Sequence, residues 1–250
     1  MIKVAVFGAN GRMGSEVCRA VGDDPDLELV ARIDLGDDRE PAGAADVVVD
    51  FTHPGAVIDN ISWCLERGLH VVVGTSGFTG DRLGEVRDML GSAPRSGVLV
   101  AANFSIGAVL MMSFARQAAA HMTSAEIVEL HHPNKVDAPS GTSLATAREV
   151  AASRRAAGLG SMPDATVDEL DGARGARVDG VPVHSVRLAG LVAHQEVLFG
   201  NLGETLTIRH DSLDRVSFMP GVLLAVKSVV ERPGLTFGIE SLLGIDSPRR

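Results

Sequence analysis

The segment Glu129-Leu-His131-His132-Pro-Asn-Lys135-Val-Asp137-Ala-Pro-Ser140-Gly141-Thr142 concentrates the side chains with which an enzyme moves protons and holds anions. Tandem histidines are the side chains best suited to give up a proton near neutral pH. Lys135 adds a cation. Pro139 to Thr142 stands just ahead of a helical pattern, so the hydroxyls of Ser140 and Thr142 and the open amides from Gly141 onward form a ready carboxylate site. Taken singly, each residue has a plainer explanation: a packed histidine, a solvated lysine, a serine that only caps a helix. Their concentration in one short segment speaks for catalysis. No C-x-x-C or H-E-x-x-H accompanies the histidines and a nearby lysine repels a metal ion, so no metal is expected.

A second constellation opens the chain. Gly8-Ala9-Asn10-Gly11-Arg12-Met13-Gly14 follows a short apolar run and precedes a helical pattern, a variant of the dinucleotide fingerprint. Small residues there let backbone amides approach a pyrophosphate at a helix N-terminus. Asp34 lies twenty residues beyond Gly14, where a carboxylate can bind a ribose hydroxyl. No G-K-[ST] follows, which excludes a P-loop. Asp34 favours NADH, whereas Arg12, Arg32 and Arg39 could accommodate the 2′-phosphate of NADPH, so NADH and NADPH both stay open as cofactors. Phe51-Thr52-His53, Gly74-Thr75-Ser76-Gly77 and Ala101-Ala102-Asn103-Phe104 each close a strand-like run, and three such loops beside a nucleotide loop predict a nicotinamide pocket.

The elements that must carry these groups alternate in the first half. Strands are expected at Val4–Phe7, Leu27–Ile33, Ala45–Phe51, His70–Val73 and Val98–Ala102, with helices around Met13–Val21, Val57–Leu65 and Arg82–Leu90. Repeated βαβ units predict a parallel sheet covered on both faces. After Phe104 the pattern changes to a long apolar helix over Ile106–Met122, a strand at Glu126–Leu130 and a helix over Thr142–Ala157. A long loop over 158–180 comes next, then strands at Val183–Leu188, Val192–Phe199 and Glu204–Arg209, and a last helix over Pro220–Glu231. The three strands predict a mixed or largely antiparallel sheet. The expected class is α/β, a Rossmann-like parallel-sheet domain (residues 1–104 plus 217–250) with an α+β substrate domain on a mixed open sheet (residues 105–216).

Composition removes several other functions. The 250 residues carry 23 Lys and Arg against 32 Asp and Glu, a net charge of −9, and no tyrosine, which argues against a nucleic-acid binder. No apolar run is long enough for a membrane span, and glycines arrive too early for a signal peptide, so a cytoplasmic protein is expected. Cys18 and Cys64 fall at helix-interior positions and read as buried free thiols.

The chain resembles the 4-hydroxy-tetrahydrodipicolinate reductase (dihydrodipicolinate reductase) family over essentially its whole length. The resemblance is carried by the glycine loop, Gly74-Thr75-Ser76-Gly77, Ala102-Asn103-Phe104-Ser105, the motif from Glu129 to Thr142, Arg174-Gly-Ala-Arg177 and the segment from His210 to Gly221, all in the family's order. Ser76 stands where a second threonine is common. The resemblance implies hydride transfer from NADH or NADPH to an unsaturated cyclic dicarboxylate, with loss of water. His131 then matches the proton donor and Lys135 the second catalytic group. His132, Gly141 and Thr142 match substrate contacts, assisted by Ser140, with Arg215 orienting or neutralising substrate. Gly8 to Met13, Asp34, Phe51, Gly74 to Ser76 and Ala101 to Phe104 match cofactor contacts. A homotetramer is implied. Two rival functions are another nicotinamide-dependent amino-acid dehydrogenase and an NAD(P)H-sensing regulator without turnover; the His-Lys cluster argues against both.

Overall fold

The computed structural model describes residues 1–75 and 77–245. The chain divides into two compact units: residues 1–106 with the return segment from Arg215, and residues 107–214.

Unit 1 is a six-stranded parallel sheet. Its strands are β1 (Ile2–Phe7), β2 (Leu27–Ile33), β3 (Val47–Asp50), β4 (His70–Val73), β5 (Gly97–Val100) and β11 (Gly234–Phe237), ordered β11-β5-β4-β3-β1-β2. Continuous apolar runs, rather than alternating ones, mark strands covered on both faces. Val47, Val48 and Val49 are all fully buried, each worth about 1.5–3 kcal/mol relative to exposure. The covering helices are α1 (Arg12–Asp23), α2 (Val57–Glu66), α3 (Gly80–Leu90) and α6 (Met219–Val229). The last of these returns the chain to the first unit. Cys18 and Cys64 are free and buried, as their helical spacing predicts.

Unit 2 is a five-stranded mixed sheet, β10-β9-β6-β8-β7, with two helices, α4 (Ile106–Ala119) and α5 (Gly141–Ala156). Central strand β6 (Ser124–His131) runs parallel to β8 (Val181–Arg187) and antiparallel to β9 (Ala193–Asn201), which pairs with edge strand β10 (Glu204–Ser212). Side chains alternate across a strand, so Ala125, Ile127, Glu129 and His131 share one face of β6. Ala125 and Ile127 join Val183 and Val197 from the neighbouring strands and Met111, Ala115, Ala147 and Val150 from the helices in one core. Toward the C-terminal end of β6 the same face turns polar. Register sets Glu129 beside Ser185 and Gln195, and His131 beside Arg187.

Two expectations are corrected. The segment 158–180 is not loop throughout: β7 (Ala176–Val178) pairs antiparallel with β8 through the two-residue turn Asp179-Gly180. Asp179 and Gly180 adopt φ values of 49° and 90°, the left-handed geometry that makes Asp-Gly a hairpin signal. β11 also lacks a counterpart among the expected strands. It is four residues long and half-exposed at the sheet edge, so its sequence carries little hydrophobic signal.

Candidate active site

In unit 1 the strand order reverses at β1, which has β2 on one side and β3 on the other. Ligands of open parallel sheets bind beyond the strand C-termini at such a reversal. A cavity of about 510 Å³ lies there, lined among others by Gly8, Gly11, Asp34, Arg39, Phe51 and His53.

The glycines are required by packing before any ligand is considered. A Cβ on Gly14 would lie 2.0 Å from the Gly8 carbonyl oxygen, and one on Gly8 would lie 2.6 Å from that of Phe51. The argument for a nucleotide therefore rests on what the loop leaves open. The amides of Gly8 and Ala9 donate to the Ile33 carbonyl, and that of Asn10 donates to the Asp34 carboxylate at 2.6 Å. The amides of the helix behind the loop are another matter. α1 starts at Gly11 without a side-chain cap and without an acidic residue in its first turn, which leaves the first-turn amides at Arg12 and Met13 for an anion. A pyrophosphate fits this end. Asp34 closes the cavity where a ribose hydroxyl would bind, and Leu35 donates its amide to the other carboxylate oxygen at 2.8 Å. Arg39 lies 5.7 Å over the Trp63 ring and donates to Asn60 at 3.1 Å.

Asp50, which the residue-type search passed over, organises the rim. It is fully buried at the end of β3 and accepts from Thr52 at 2.7 Å, Thr75 at 2.8 Å and Asn60 at 2.8 Å. These bonds tie β3, β4 and α2 behind the cavity. Phe51 stacks in a tilted contact with Phe104, ring centres 5.9 Å apart, and its ring fills the space where Gly74 lacks a side chain. Ala101 is buried and donates to Val73, while Asn103 accepts from the Ser105 amide at 2.8 Å. Ala102 is exposed. Ser76 lies outside the described residues.

In unit 2 the strand period brings Glu129 under His131. Glu129 is fully buried and its carboxylate bonds His131 Nδ1. Arg187 holds the same carboxylate with both amino groups, at 2.9 and 2.8 Å. Burial pushes the Glu129 carboxyl up, but bonds from His131, Arg187 and Ser185 outweigh it and bring it down to about 2. An ionised Glu129 can only accept, so His131 Nδ1 carries the hydrogen in that contact and Nε2 is left to exchange a proton. Lys135 donates to Asp137 at 2.6 Å. Burial raises the Asp137 carboxyl, but the Lys135 bond and charge together with backbone bonds, that of Gly141 among them, outweigh it, so the net shift is downward.

Helix α5 begins just beyond. Ser140 is buried and serves as its N-cap: its hydroxyl accepts from the Ser143 amide at 3.2 Å and bonds the Ser143 hydroxyl at 2.8 Å. At the start of the helix the backbone amide of the exposed Gly141 bonds the Asp137 carboxylate, and Thr142 is half-buried. His132 Nδ1 is buried with no hydrogen-bond partner among the described residues, as expected of a group awaiting a ligand. Arg215 is exposed at the start of a 3-10 turn (Arg215–Phe218) in unit 1. Glu129, Arg187, Gln195 and Asp50 carry functions that a search by residue type missed. The E-x-H spacing was the one local signal for Glu129; the other three depend on register or on distant contacts.

A doubly wound sheet with an open helix N-terminus over an acidic ribose site, in one chain with a mixed sheet carrying a carboxylate-backed histidine and a lysine, defines a nicotinamide-dependent oxidoreductase. Family models agree and narrow it. Residues 2–40 and 36–104 match the model "Dihydrodipicolinate reductase, N-terminus", and residues 107–243 match "Dihydrodipicolinate reductase, C-terminus". The chain belongs to the dihydrodipicolinate reductase family, whose members are NAD(P)H-dependent oxidoreductases with the nucleotide-binding domain at the N-terminus. It is 65% identical to the 4-hydroxy-tetrahydrodipicolinate reductase of Cutibacterium acnes over 98% of this chain and 100% of that one. It is 63% identical to that of Thermobifida fusca, with the same coverage. Among solved structures, a dipicolinate-bound dihydrodipicolinate reductase from Paenisporosarcina sp. TG-14 superposes with a TM-score of 0.84 at 39% identity, covering 96% of this chain and 99% of that one.

Proposed function

We propose that the protein is a 4-hydroxy-tetrahydrodipicolinate reductase: it reduces a hydroxylated cyclic dicarboxylate with NADH or NADPH to tetrahydrodipicolinate, with loss of water, in lysine and diaminopimelate synthesis. The observation that carries this reading is the carboxylate-backed His131 followed, within one segment, by Lys135 and the N-terminus of α5. A dicarboxylate ring needs an anion site, and a reduction that leaves negative charge on the ring needs a proton donor.

The nicotinamide coenzyme, when bound, supplies the hydride. In unit 1 the first-turn amides of α1 hold the pyrophosphate, Asp34 holds the ribose, and Phe51, Gly74 to Ser76 and Ala101 to Phe104 form the nicotinamide pocket. In unit 2 the N-terminus of α5 at Gly141 and Thr142 receives a substrate carboxylate, which takes over contacts these residues otherwise make within the chain, and His132 contacts it. Ser140 acts by capping α5, and Arg215 helps to neutralise substrate. His131 delivers a proton from Nε2 to the reduced ring, and Glu129 stabilises the charged imidazole beforehand. Lys135 stabilises the negative charge that the hydride leaves.

Unit 2 also serves assembly. Its helices cover one sheet face, while Val128, Leu130 and Leu198 on the other are only half-buried among the charged Glu126 and Glu196, a mixed apolar and polar surface suited to a homotetramer. Among the described residues no helix is long and apolar enough to cross a membrane. A cytoplasmic enzyme with a small anionic substrate and no nucleic-acid partner is the consistent reading.

Absorbance of NADH and NADPH, followed with substrate generated by an aldolase from pyruvate and aspartate semialdehyde, tests the proposal. Substrate-dependent oxidation of either cofactor is expected. Oxidation of neither would overturn it, and cofactor binding without turnover would point to a sensor.

A further inference from the structure

Arg187 has no place in the motif that runs from Glu129 to Thr142, yet its guanidinium touches it at two points, Glu129 and Asp137. Both amino groups bind the Glu129 carboxylate, at 2.9 and 2.8 Å. The second also donates to the Asp137 carbonyl at 2.6 Å, and the first to its neighbour's carbonyl at Val186 at 2.8 Å. The register of β6 and β8 sets Arg187 directly beside His131. A continuous chain of contacts therefore runs from His131 through Glu129 and Arg187 to Asp137, and from the Asp137 side chain to Lys135.

We propose that Arg187 is a positioning residue that couples the two catalytic groups. Through Glu129 it governs how tightly His131 holds its proton, and through the Asp137 carbonyl it anchors the loop that carries Lys135. This rests on His131 and Lys135 being the proton donor and charge-stabilising group of the reductase.

Two physical points support it. Glu129 is fully buried, and a lone buried carboxylate beside a histidine would bind the imidazolium so strongly that the ring would release its proton reluctantly. The Arg187 cation on the same carboxylate offsets that attraction. The second point is geometric. A planar guanidinium reaches two carboxylate oxygens and a carbonyl in one plane, which a lysine ammonium cannot do. Lysine at 187 would keep the charge and lose the anchor.

The other charged or titratable groups near His131 in unit 2 are known and differently engaged. His132, Lys135 and Asp137 are on its own loop, with Lys135 and Asp137 paired to each other. From β10, His210 stands opposite Gln195, and burial lowers its proton affinity. His194 of β9 is paired with Asp211 of β10. Arg187 is the cation on the Glu129 carboxylate.

The test uses ring-nitrogen NMR of His131 in the cofactor-free protein, beside the pH profile of kcat in the reductase assay. In Arg187→Met the His131–Glu129 pair should hold its proton through about one further pH unit, and the alkaline limb of kcat should move up with it. Glu129→Gln should shift both the other way. Arg187→Lys should leave the titration near the wild-type midpoint while kcat falls about tenfold through the loosened Lys135 loop. A purely structural arginine would depress kcat equally at all pH values with an unmoved midpoint in Arg187→Met, and that result overturns the coupling. If Arg187→Met does not fold, wild-type kinetics in Arg187→Lys overturn the anchoring role. Absence of turnover in the wild type would strike the reductase reading instead, and the NMR titration would still report on the Arg187–Glu129–His131 linkage.

Discussion

Gln195 on β9 accepts a hydrogen bond from the Ser143 hydroxyl at 2.7 Å and donates to the Thr146 hydroxyl at 2.9 Å, so one buried amide holds the first turn of α5 to the sheet. Ser143 in turn bonds Ser140, the cap of that helix. The amides proposed to hold a substrate carboxylate thus sit on a helix end whose height over the sheet is set by a residue far along the chain. Gln195→Ala would remove two buried hydrogen bonds while Ser143 keeps Ser140 and Thr146 keeps the Thr142 carbonyl, a loss of about 1–3 kcal/mol. The expected result is a KM for the dicarboxylate raised several-fold with a smaller change in kcat, alongside a lower Tm. A variant that loses stability but keeps its KM would show that the bond only supports the fold.

His131→Gln keeps a side chain of similar reach that cannot act as an acid. Because the proton is needed in the transition state, kcat should fall by about 10²-fold or more, with KM little changed. Steady-state kinetics at saturating cofactor decide this, and an unaltered kcat would remove His131 from the donor role.

The ribose end of the unit 1 cavity presents Asp34, Asp37 and Asp59 against the single cation Arg39, which is already engaged with Asn60 and stacked on Trp63. An added 2′-phosphate meets net negative charge there, so NADH should bind more tightly than NADPH. Asp34→Asn keeps an oxygen for the Asn10 amide and deletes the charge. Calorimetric titration should show the NADH-over-NADPH ratio shrinking about tenfold in this variant. An unchanged ratio would place cofactor choice elsewhere.

Glu129 links the site to acid stability. Its carboxyl lies near 4.5 in an unfolded chain and about 2 in the folded one, so the folded state favours the ionised form. That stabilisation is present in full above the unfolded value and is lost as pH falls toward the folded one, in all about 3 kcal/mol. Urea unfolding should therefore show stability dropping between about pH 4.5 and 2. In Glu129→Gln that part of the slope should be missing. An identical pH dependence in both proteins would mean other carboxylates govern acid unfolding.

Much of this protein is written in local patterns. Apolar runs ending in glycine mark the parallel strands, 3.6-residue periodicity marks the helices, and β2 and β4 have the very limits their sequences predict. Helices and buried strands are legible because their signals come from neighbours in sequence. The catalytic segment is legible too, since the proposed proton donor, lysine and carboxylate loop fall within one continuous stretch. Even the hairpin that makes β7 was available in Asp179-Gly180, a turn signal read as part of a loop.

What supports those groups depends on strand register and long-range contact. Nothing in the local spacing places Arg187 beside His131, Gln195 beneath α5, or Thr75 and Asn60 on Asp50. The face of β6 that begins as apolar core and ends as Glu129 and His131 needs partners from β8 and β9 to satisfy its buried polar atoms, and Arg187 on β8 lies 58 residues away with Gln195 on β9 farther still. A buried charge must be matched wherever the fold brings a counter-charge, and sequence spacing does not record where that will be. The sequence by itself determined which residues can react; only the tertiary structure decided which proton each one holds, and how firmly.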